Sequence, residues 1–310
     1  MQTVLITGGT GLIGRQLTRH LISKGYQVIV LTRELPTEKA NPPLRYALWD
    51  IEQQTIDKDA ILQADYIVHL AGANVGEKRW TKKRKEEIVS SRIQSSALLI
   101  KGLTENGNKV RALISASAIG WYGEDPRIPN PHPFVETDPP DEGFLGHTCK
   151  LWEDSIQPVT GLDIRLVILR TGLVLDNSGG VLAAFKKPVY FGLAGILGNG
   201  KQIMSWIHVD DICQMYLAAI EQENLHGPYN AVAPKPVSNK ELTLHLAKTM
   251  KGKFYVSAHV PGFLLETALG EMSTEVLKST TVCCDKIRKA GYNFKFPTLE
   301  GAIDDLIKKK

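Results

Sequence analysis

The chain has 310 residues, 43% of them hydrophobic and 23% charged, with a formal net charge of +4, which is enough apolar material for one large domain and a smaller appended one. So modest a charge argues against a nucleic-acid partner, and no run approaches the roughly 18 apolar residues of a membrane span. Cys149, Cys213, Cys283 and Cys284 have neither the number nor the spacing of a disulfide framework or a zinc site. With no secretory pattern at the start, the expectation is a cytoplasmic protein without a metal.

The first element reads as a buried strand, Val4-Leu5-Ile6, running into Thr7-Gly8-Gly9-Thr10-Gly11-Leu12-Ile13-Gly14. Leu12, Ile13, Leu17 and Leu21 then recur with helical spacing. A strand, a glycine turn and a helix in that order form a dinucleotide-binding signature. Gly8 permits the turn, Gly11 lets the backbone approach a pyrophosphate, and Gly14 lets helix and strand pack closely. The helix N-terminus offers N–H groups and partial positive charge to the phosphates. Gly8, Thr10, Gly11, Leu12, Ile13 and Gly14 are therefore candidate cofactor contacts.

Strands are predicted over 26–32, 45–49, 66–71, 110–115 and 163–169, with helices over 57–63, 81–105 and 143–157. Such alternation predicts an α/β fold, a Rossmann-type doubly wound parallel sheet whose ligand crevice lies at the strand C-termini. At the end of the second strand stands Arg33. An acidic residue there would bind the ribose of NAD, whereas an arginine pairs with a 2′-phosphate, so NADP is favoured over NAD, although Glu34 is adjacent. Asp50 either hydrogen-bonds an adenine amino group or caps a turn. Residues 82–85 and the 308–310 tail, both basic, read as solvated faces.

With His69-Leu70-Ala71-Gly72-Ala73-Asn74 and Ser115-Ala116-Ser117-Ala118-Ile119-Gly120-Trp121-Tyr122-Gly123, the glycine turn is similar to the matching segments of extended short-chain dehydrogenases and sugar-nucleotide epimerases. Further ordered blocks include Cys149-Lys150-Leu151-Trp152-Glu153, Trp206-Ile207-His208-Val209-Asp210-Asp211 and Phe296-Pro297-Thr298-Leu299-Glu300. They extend the resemblance over nearly the whole chain, to the atypical "epimerase family". It implies that Leu70, Ala71, Gly72 and Ser115 lie against the cofactor. It also implies a division into a nucleotide-binding domain at 1–230 and a smaller C-terminal domain at 231–310, packed over the cleft, with 172–206 contributing to a lid.

Ordinary members use a serine or threonine, a tyrosine that exchanges a proton with substrate, and a lysine four residues later that lowers the tyrosine pKa. Ser117 matches the serine. In the helix beginning at Gly143, alignment on Glu153 puts Leu145 and Cys149 at the other two positions, and a shift of one puts Gly146 and Lys150 there. Either way the tyrosine is missing. Lys150 is a candidate for the ribose contact and Tyr122 for the acid, although the comparable superfamily tyrosine is usually structural. His147 reads as an exposed helix residue, Cys149 as a small buried one, and His208 as a loop-orienting one.

Arg79 and Trp80, after the fourth strand, suit a clamp on an anionic group with a ring to stack on it, and Arg170, ending the sixth, also faces the crevice. Farther on, Ser238-Asn239-Lys240-Glu241 opens a helix with a capping box. The expected function is an NADP-dependent oxidoreductase or epimerase-like enzyme on a small, anionic or sugar-like substrate. The alternative is a non-catalytic NADP(H)-binding sensor or scaffold, because epimerisation leans on the missing pair.

Overall fold

The computed structural model describes residues 1–37 and 41–308; Lys309 and Lys310 of the basic tail lie outside them. In chain order, β1 (Thr3–Thr7), α1 (Leu12–Ser23), β2 (Gln27–Thr32), β3 (Leu44–Asp50), β4 (Thr55–Ile56), α2 (Lys58–Gln63) and β5 (Tyr66–His69) build the first half. Next come α3 (Lys82–Asn106), β6 (Ala112–Ala118), α4 (Phe144–Ile156), β7 (Arg165–Thr171), β8 (Leu173–Leu175), α5 (Gly180–Tyr190), β9 (Leu193–Leu197), β10 (Ile203–Met204) and β11 (Trp206–His208). The chain continues through α6 (Val209–Glu221), β12 (Gly227–Ala231), β13 (Val237–Ser238), α7 (Asn239–Lys251) and β14 (Val256–Val260). It ends in α8 (Gly262–Leu269), α9 (Met272–Leu277), α10 (Asp285–Lys289) and α11 (Leu299–Lys308).

The main sheet has eight strands in the order β12-β7-β6-β5-β1-β2-β3-β4. All neighbours are parallel except the short β3–β4 pair. After β1 the chain builds β2 and β3 on one side and then returns to place β5 on the other, so the strand order reverses at β1. Ligand crevices of doubly wound sheets open at such a reversal, beyond the strand C-termini. The unbroken apolar run of β1 follows from burial on both faces. Val4 and Ile6 pack with Leu17 and Leu21 of α1 and with α6, while Leu5 packs with Leu98, Leu99 and Leu103 of α3.

The C-terminal segment is part of this packing. Val282, Cys284, Ile287 and Tyr292 join the core cluster under α1 and α6. Buried Asp211, in the first turn of α6, accepts hydrogen bonds from the Tyr292 hydroxyl and from the N–H groups of Lys295 and Phe296, at 2.8–3.3 Å. No described helix is long and apolar enough to cross a membrane.

The expectation that the basic run at 82–85 is a solvated face holds only in part. Lys82 and Lys83 are exposed, but Arg84 is buried and bonded to the Asn74 carbonyl, Glu77 and Glu87. A buried arginine held by a backbone carbonyl and two carboxylates is not a solvated face, and that reading is corrected for Arg84. The capping box at Ser238 forms as expected.

Candidate functional site

At the C-terminal end of β1, Gly8 turns the chain with a φ of +67°, and a Cβ there would lie 2.8 Å from the Leu70 backbone. Thr7 makes that approach specific: its Oγ1 accepts the N–H groups of Leu70 (3.1 Å) and Ala71 (3.2 Å). Its other neighbour is the buried His69 ring, with Nδ1 2.7 Å away. The segment after β5 is thereby fastened to the glycine turn, which is why β5 ends at His69 rather than at the expected residue 71. Gly14 is required by the fold itself, since a Cβ would sit 2.4 Å from the Gly8 oxygen. Gly11 is different. It caps α1 with a φ of −76° that any residue adopts, and its Cβ would meet only the Gly8 oxygen, at 3.2 Å.

No side chain caps the start of α1, and its first turn holds no acidic residue. Oriented N–H groups with no anionic partner of their own, beside a glycine whose protein contacts do not demand glycine, fit a pyrophosphate. Farther along the crevice Arg33 is exposed, with no hydrogen bond or ion pair among the described residues. Asp50 forms the turn: its Oδ1 accepts the N–H groups of Glu52 and Gln53 at 2.8 and 2.9 Å. From the far side, Gly179 and Gly180 come down on Leu12, close enough that a Cβ on either would be 3.2–3.3 Å from its methyl groups.

On the opposite side of the reversal, β6 runs three residues beyond its expected end and carries Ser115 and Ser117 inside the strand, both buried. Ser117 gives its proton to Glu153 Oε1 at 2.7 Å. Arg170 grips the same carboxylate with two bonds of 2.9 Å and lies over the Trp121 ring at 3.7 Å. It also donates to the Tyr122 hydroxyl, which donates in turn to Asn230 at 2.7 Å. This network corrects two sequence expectations. Arg170 is 2% exposed and fully engaged, so it is no clamp for a substrate anion, and Tyr122 is 0% exposed, with burial pushing its hydroxyl up to about 12. Glu153, which served the sequence reading only as an alignment anchor, holds Ser117 and Arg170 together. Its spacing of four from Cys149 is the only local sign of it.

The geometry of α4 decides the register of the missing pair. Leu145 and Cys149 face the end of β6: a Cβ on Gly120 would touch the Leu145 side chain at 3.1 Å and Cys149 Sγ at 3.7 Å. Lys150 points away, exposed and paired with Asp154 one turn on. The position of the ribose-binding lysine therefore belongs to Cys149, and the expectation for Lys150 is corrected by the helical angle of one residue. Burial pushes the Cys149 thiol up to about 12, so it is an inert neutral group there. His147 is exposed, as expected. His208 is buried and caps α6, its Nδ1 accepting the Asp210 N–H at 3.0 Å.

At the mouth of the crevice, Trp80 packs edge-on to Phe144 at the start of α4, 4.9 Å between centroids, with its indole N–H on the Val75 carbonyl at 2.9 Å. Arg79 is exposed beside Gly270, and Lys85 pairs with Glu271. The structure thus brings Arg79 and Trp80 to the junction of α3, α4 and the C-terminal segment. No cluster of metal-ligating residues occurs among the described residues.

Comparison with known proteins agrees with this construction. Residues 4–151 match the NAD dependent epimerase/dehydratase family, and residues 260–306 match a domain of unknown function, DUF1731. An epimerase family protein of Staphylococcus saprophyticus is 36% identical over 99% of this chain and 100% of its own length. The structure of a human epimerase family protein, solved with NADPH, superposes with a TM-score of 0.87 at 25% identity, covering 100% of both chains. A nucleoside-diphosphate sugar epimerase from Corynebacterium glutamicum superposes at 0.77 with 30% identity, over 99% of this chain and 58% of that one. This chain therefore belongs to the NAD-dependent epimerase/dehydratase family, as an epimerase family protein with a C-terminal DUF1731 segment.

Proposed function

We propose that this chain binds NADP(H) and exchanges hydride with a small, anionic or sugar-like substrate, without the tyrosine–lysine pair of its superfamily. The observation that carries the cofactor reading is the uncapped start of α1 beside Gly11, with the exposed Arg33 guanidinium at the end of β2. The backbone at Gly8, Thr10, Gly11, Leu12, Ile13 and Gly14 would hold the pyrophosphate, Arg33 the 2′-phosphate, and Leu70, Ala71, Gly72 and Ser115 the remainder. The human relative solved with NADPH supports the same choice. When bound, the nicotinamide supplies or accepts the hydride.

Around the reacting position, Ser117 is the polar side chain that remains. Its proton is committed to Glu153, so its oxygen serves a substrate as an acceptor while Leu145 and Cys149 exclude water. Arg79 and Trp80 would receive an anionic or sugar-like group at the mouth, and the C-terminal region with residues 172–206 would close over it. Four free cysteines suit the reducing cytoplasm. A second reading, a non-catalytic NADP(H) sensor, is favoured by one observation: both acid–base positions are taken by Leu145 and a neutral thiol.

Two measurements test these readings. Calorimetry should show Arg33→Ala weakening NADPH binding about tenfold or more, as expected for one lost charge-assisted pair of ~1.5–3 kcal/mol, with NADH binding unchanged. Equal wild-type affinities for NADPH and NADH would remove NADP from the proposal. Incubation with stereospecifically deuterated NADPH and a panel of keto-sugars and keto-acids should give deuterated product, at least about tenfold less in Ser117→Ala. No transfer to any of them would leave the sensor reading in its place.

A further inference from the structure

One charged side chain beside the crevice has no role in the reading above. Arg92, on α3, is only 8% exposed. The helix α3 runs inward from the crevice mouth, where Trp80 stands just before it, and Arg92 reaches back toward that mouth. Its Nη1 donates to the carbonyl of Ile88, one turn nearer the mouth, at 2.7 Å, and to that of Ala73 at 3.2 Å. The guanidinium lies over the Trp152 ring of α4 at 4.7 Å. It also lies against Gly72 of the expected cofactor strip, where a Cβ would come within 3.1 Å of Cζ and 3.3 Å of Nη1. Residue 72 is small because this arginine needs the space.

A guanidinium carries five N–H donors, and the two on Nη1 are spent on those carbonyls. The remaining donors, on Nε and Nη2, have no acceptor among the described residues, yet neither nitrogen is sealed from solvent. No carboxylate is among the electrostatic neighbours of Arg92, which are Cys149 and a second cation, Arg84. Glu153, on the facing helix, is committed to Ser117 and Arg170. Burial lowers the guanidinium to about 10, so it is charged at neutral pH. A buried charge with free donors and no counter-ion is costly unless a ligand uses it. Fastening the 71–74 segment does not require a charge, since the Ser91 hydroxyl already holds the Ala73 N–H at 3.0 Å.

Cys149, whose thiol feels the Arg92 charge, stands at the position of the superfamily's ribose-binding lysine. We infer that Arg92 delivers from α3 the cation that α4 lacks: its free N–H groups bind the nicotinamide ribose, and its uncompensated charge makes the site select NADPH over NADP+. The inference rests on the NADP(H) reading proposed above. Ribose hydroxyls accept hydrogen bonds more strongly from a charged donor than from a neutral one. The two cofactor forms differ in the charge of the nicotinamide ring, which is positive in NADP+ and neutral in NADPH. A buried guanidinium with no carboxylate to offset it repels the oxidised ring alone.

Calorimetric titration of the full chain with NADPH, NADP+ and adenosine 2′,5′-bisphosphate tests this, the last having the 2′-phosphate but neither the second ribose nor the nicotinamide. Wild type should bind NADPH about tenfold more tightly than NADP+. Arg92→Met should weaken NADPH about tenfold and leave NADP+ nearly unchanged, the lost hydrogen bonds being offset by the lost repulsion, so that the preference disappears. Adenosine 2′,5′-bisphosphate should bind the variant as it binds wild type, which also shows that the variant is folded. Arg92→Gln, which can still donate to the Ala73 carbonyl, should lose the preference in the same way, and Arg92→Lys, which keeps the charge, should retain it. Equal wild-type affinities for NADPH and NADP+ would overturn the inference, as would a preference that survives in the neutral variants, the result expected of an arginine that only fastens residues 71–74. A wild type that binds neither NADPH nor adenosine 2′,5′-bisphosphate would remove the cofactor reading itself, and this inference with it.

Discussion

His69 is wholly buried at the end of β5, with Thr7 Oγ1 at 2.7 Å from one ring nitrogen and Ser96 Oγ at 3.2 Å from the other. Burial, and after it the Arg92 guanidinium, lowers its pKa to about 3. Unfolded, the ring titrates near its ordinary 6.5, so above that pH its stabilising contribution is complete. Below it the unfolded state takes a proton that the folded state refuses, and stability falls by about 1.4 kcal/mol per pH unit until the folded pKa is reached. Between pH 7 and pH 5 the His69 share is about 2 kcal/mol. Urea unfolding at the two pH values should show a pH dependence smaller by that amount in His69→Gln, whatever the variant's stability at pH 7; parallel slopes would refute the assignment. Single-residue roles of this kind were the least legible in the sequence. Arg170 and Tyr122 stand where a crevice residue should stand, but their partners Glu153, Glu136 and Asn230 come from other elements. No local pattern announces that a guanidinium at a strand end is already neutralised by a carboxylate arriving from α4.

At the scale of elements, the turn from β1 to α1 separates what the fold needs from what a ligand needs. Gly14→Ala drives a methyl group to 2.4 Å from the Gly8 oxygen, between backbones that have no rotamer to yield, and should lower the unfolding free energy by about 1–3 kcal/mol. Gly11→Ala, at φ −76° and 3.2 Å from the same oxygen, should cost less than about 1 kcal/mol while weakening NADPH binding severely. Denaturation and calorimetry on the pair check this; a Gly11→Ala protein that is intact and binds NADPH like wild type would put the pyrophosphate elsewhere. This turn was legible because its spacing, its apolar strand and its amphipathic helix are all local. The strand β12 was not, since Gly227-Pro228-Tyr229-Asn230-Ala231 has the composition of a turn. It is tolerated because β12 is the sheet's edge, where a missing proline N–H costs no ladder bond. The register of α4 was open by one residue for a related reason: Cys149 and Lys150 are adjacent in sequence, and only the packing of Leu145 on Gly120 says which of them faces the sheet.

Over the whole molecule, several connections from the second half of the chain reach the nucleotide-binding half, and two of them differ in kind. One is buried: Asp211 ties the segment after α10 to α6 through Tyr292, Lys295 and Phe296, and Val282 to Tyr292 share the core beneath α1. The other is thin, Gly179 and Gly180 resting on the Leu12 methyl groups at the start of α1. A ligand that binds the folded state at a concentration of 100 Kd stabilises it by about 2.7 kcal/mol, and local opening responds most where few buried contacts hold a segment. Saturating NADPH should therefore slow backbone hydrogen exchange at residues 8–15 and 176–182, because cofactor beneath the glycine pair leaves that turn less room to open. Exchange at 285–306 should change only by the global increment, since its Asp211 anchors are already closed without cofactor. Hydrogen-exchange mass spectrometry with and without NADPH reads both regions in one experiment. Protection confined to 285–306, with 176–182 unchanged, would mean that the C-terminal segment rather than the Gly179–Gly180 turn is the part that closes over the dinucleotide.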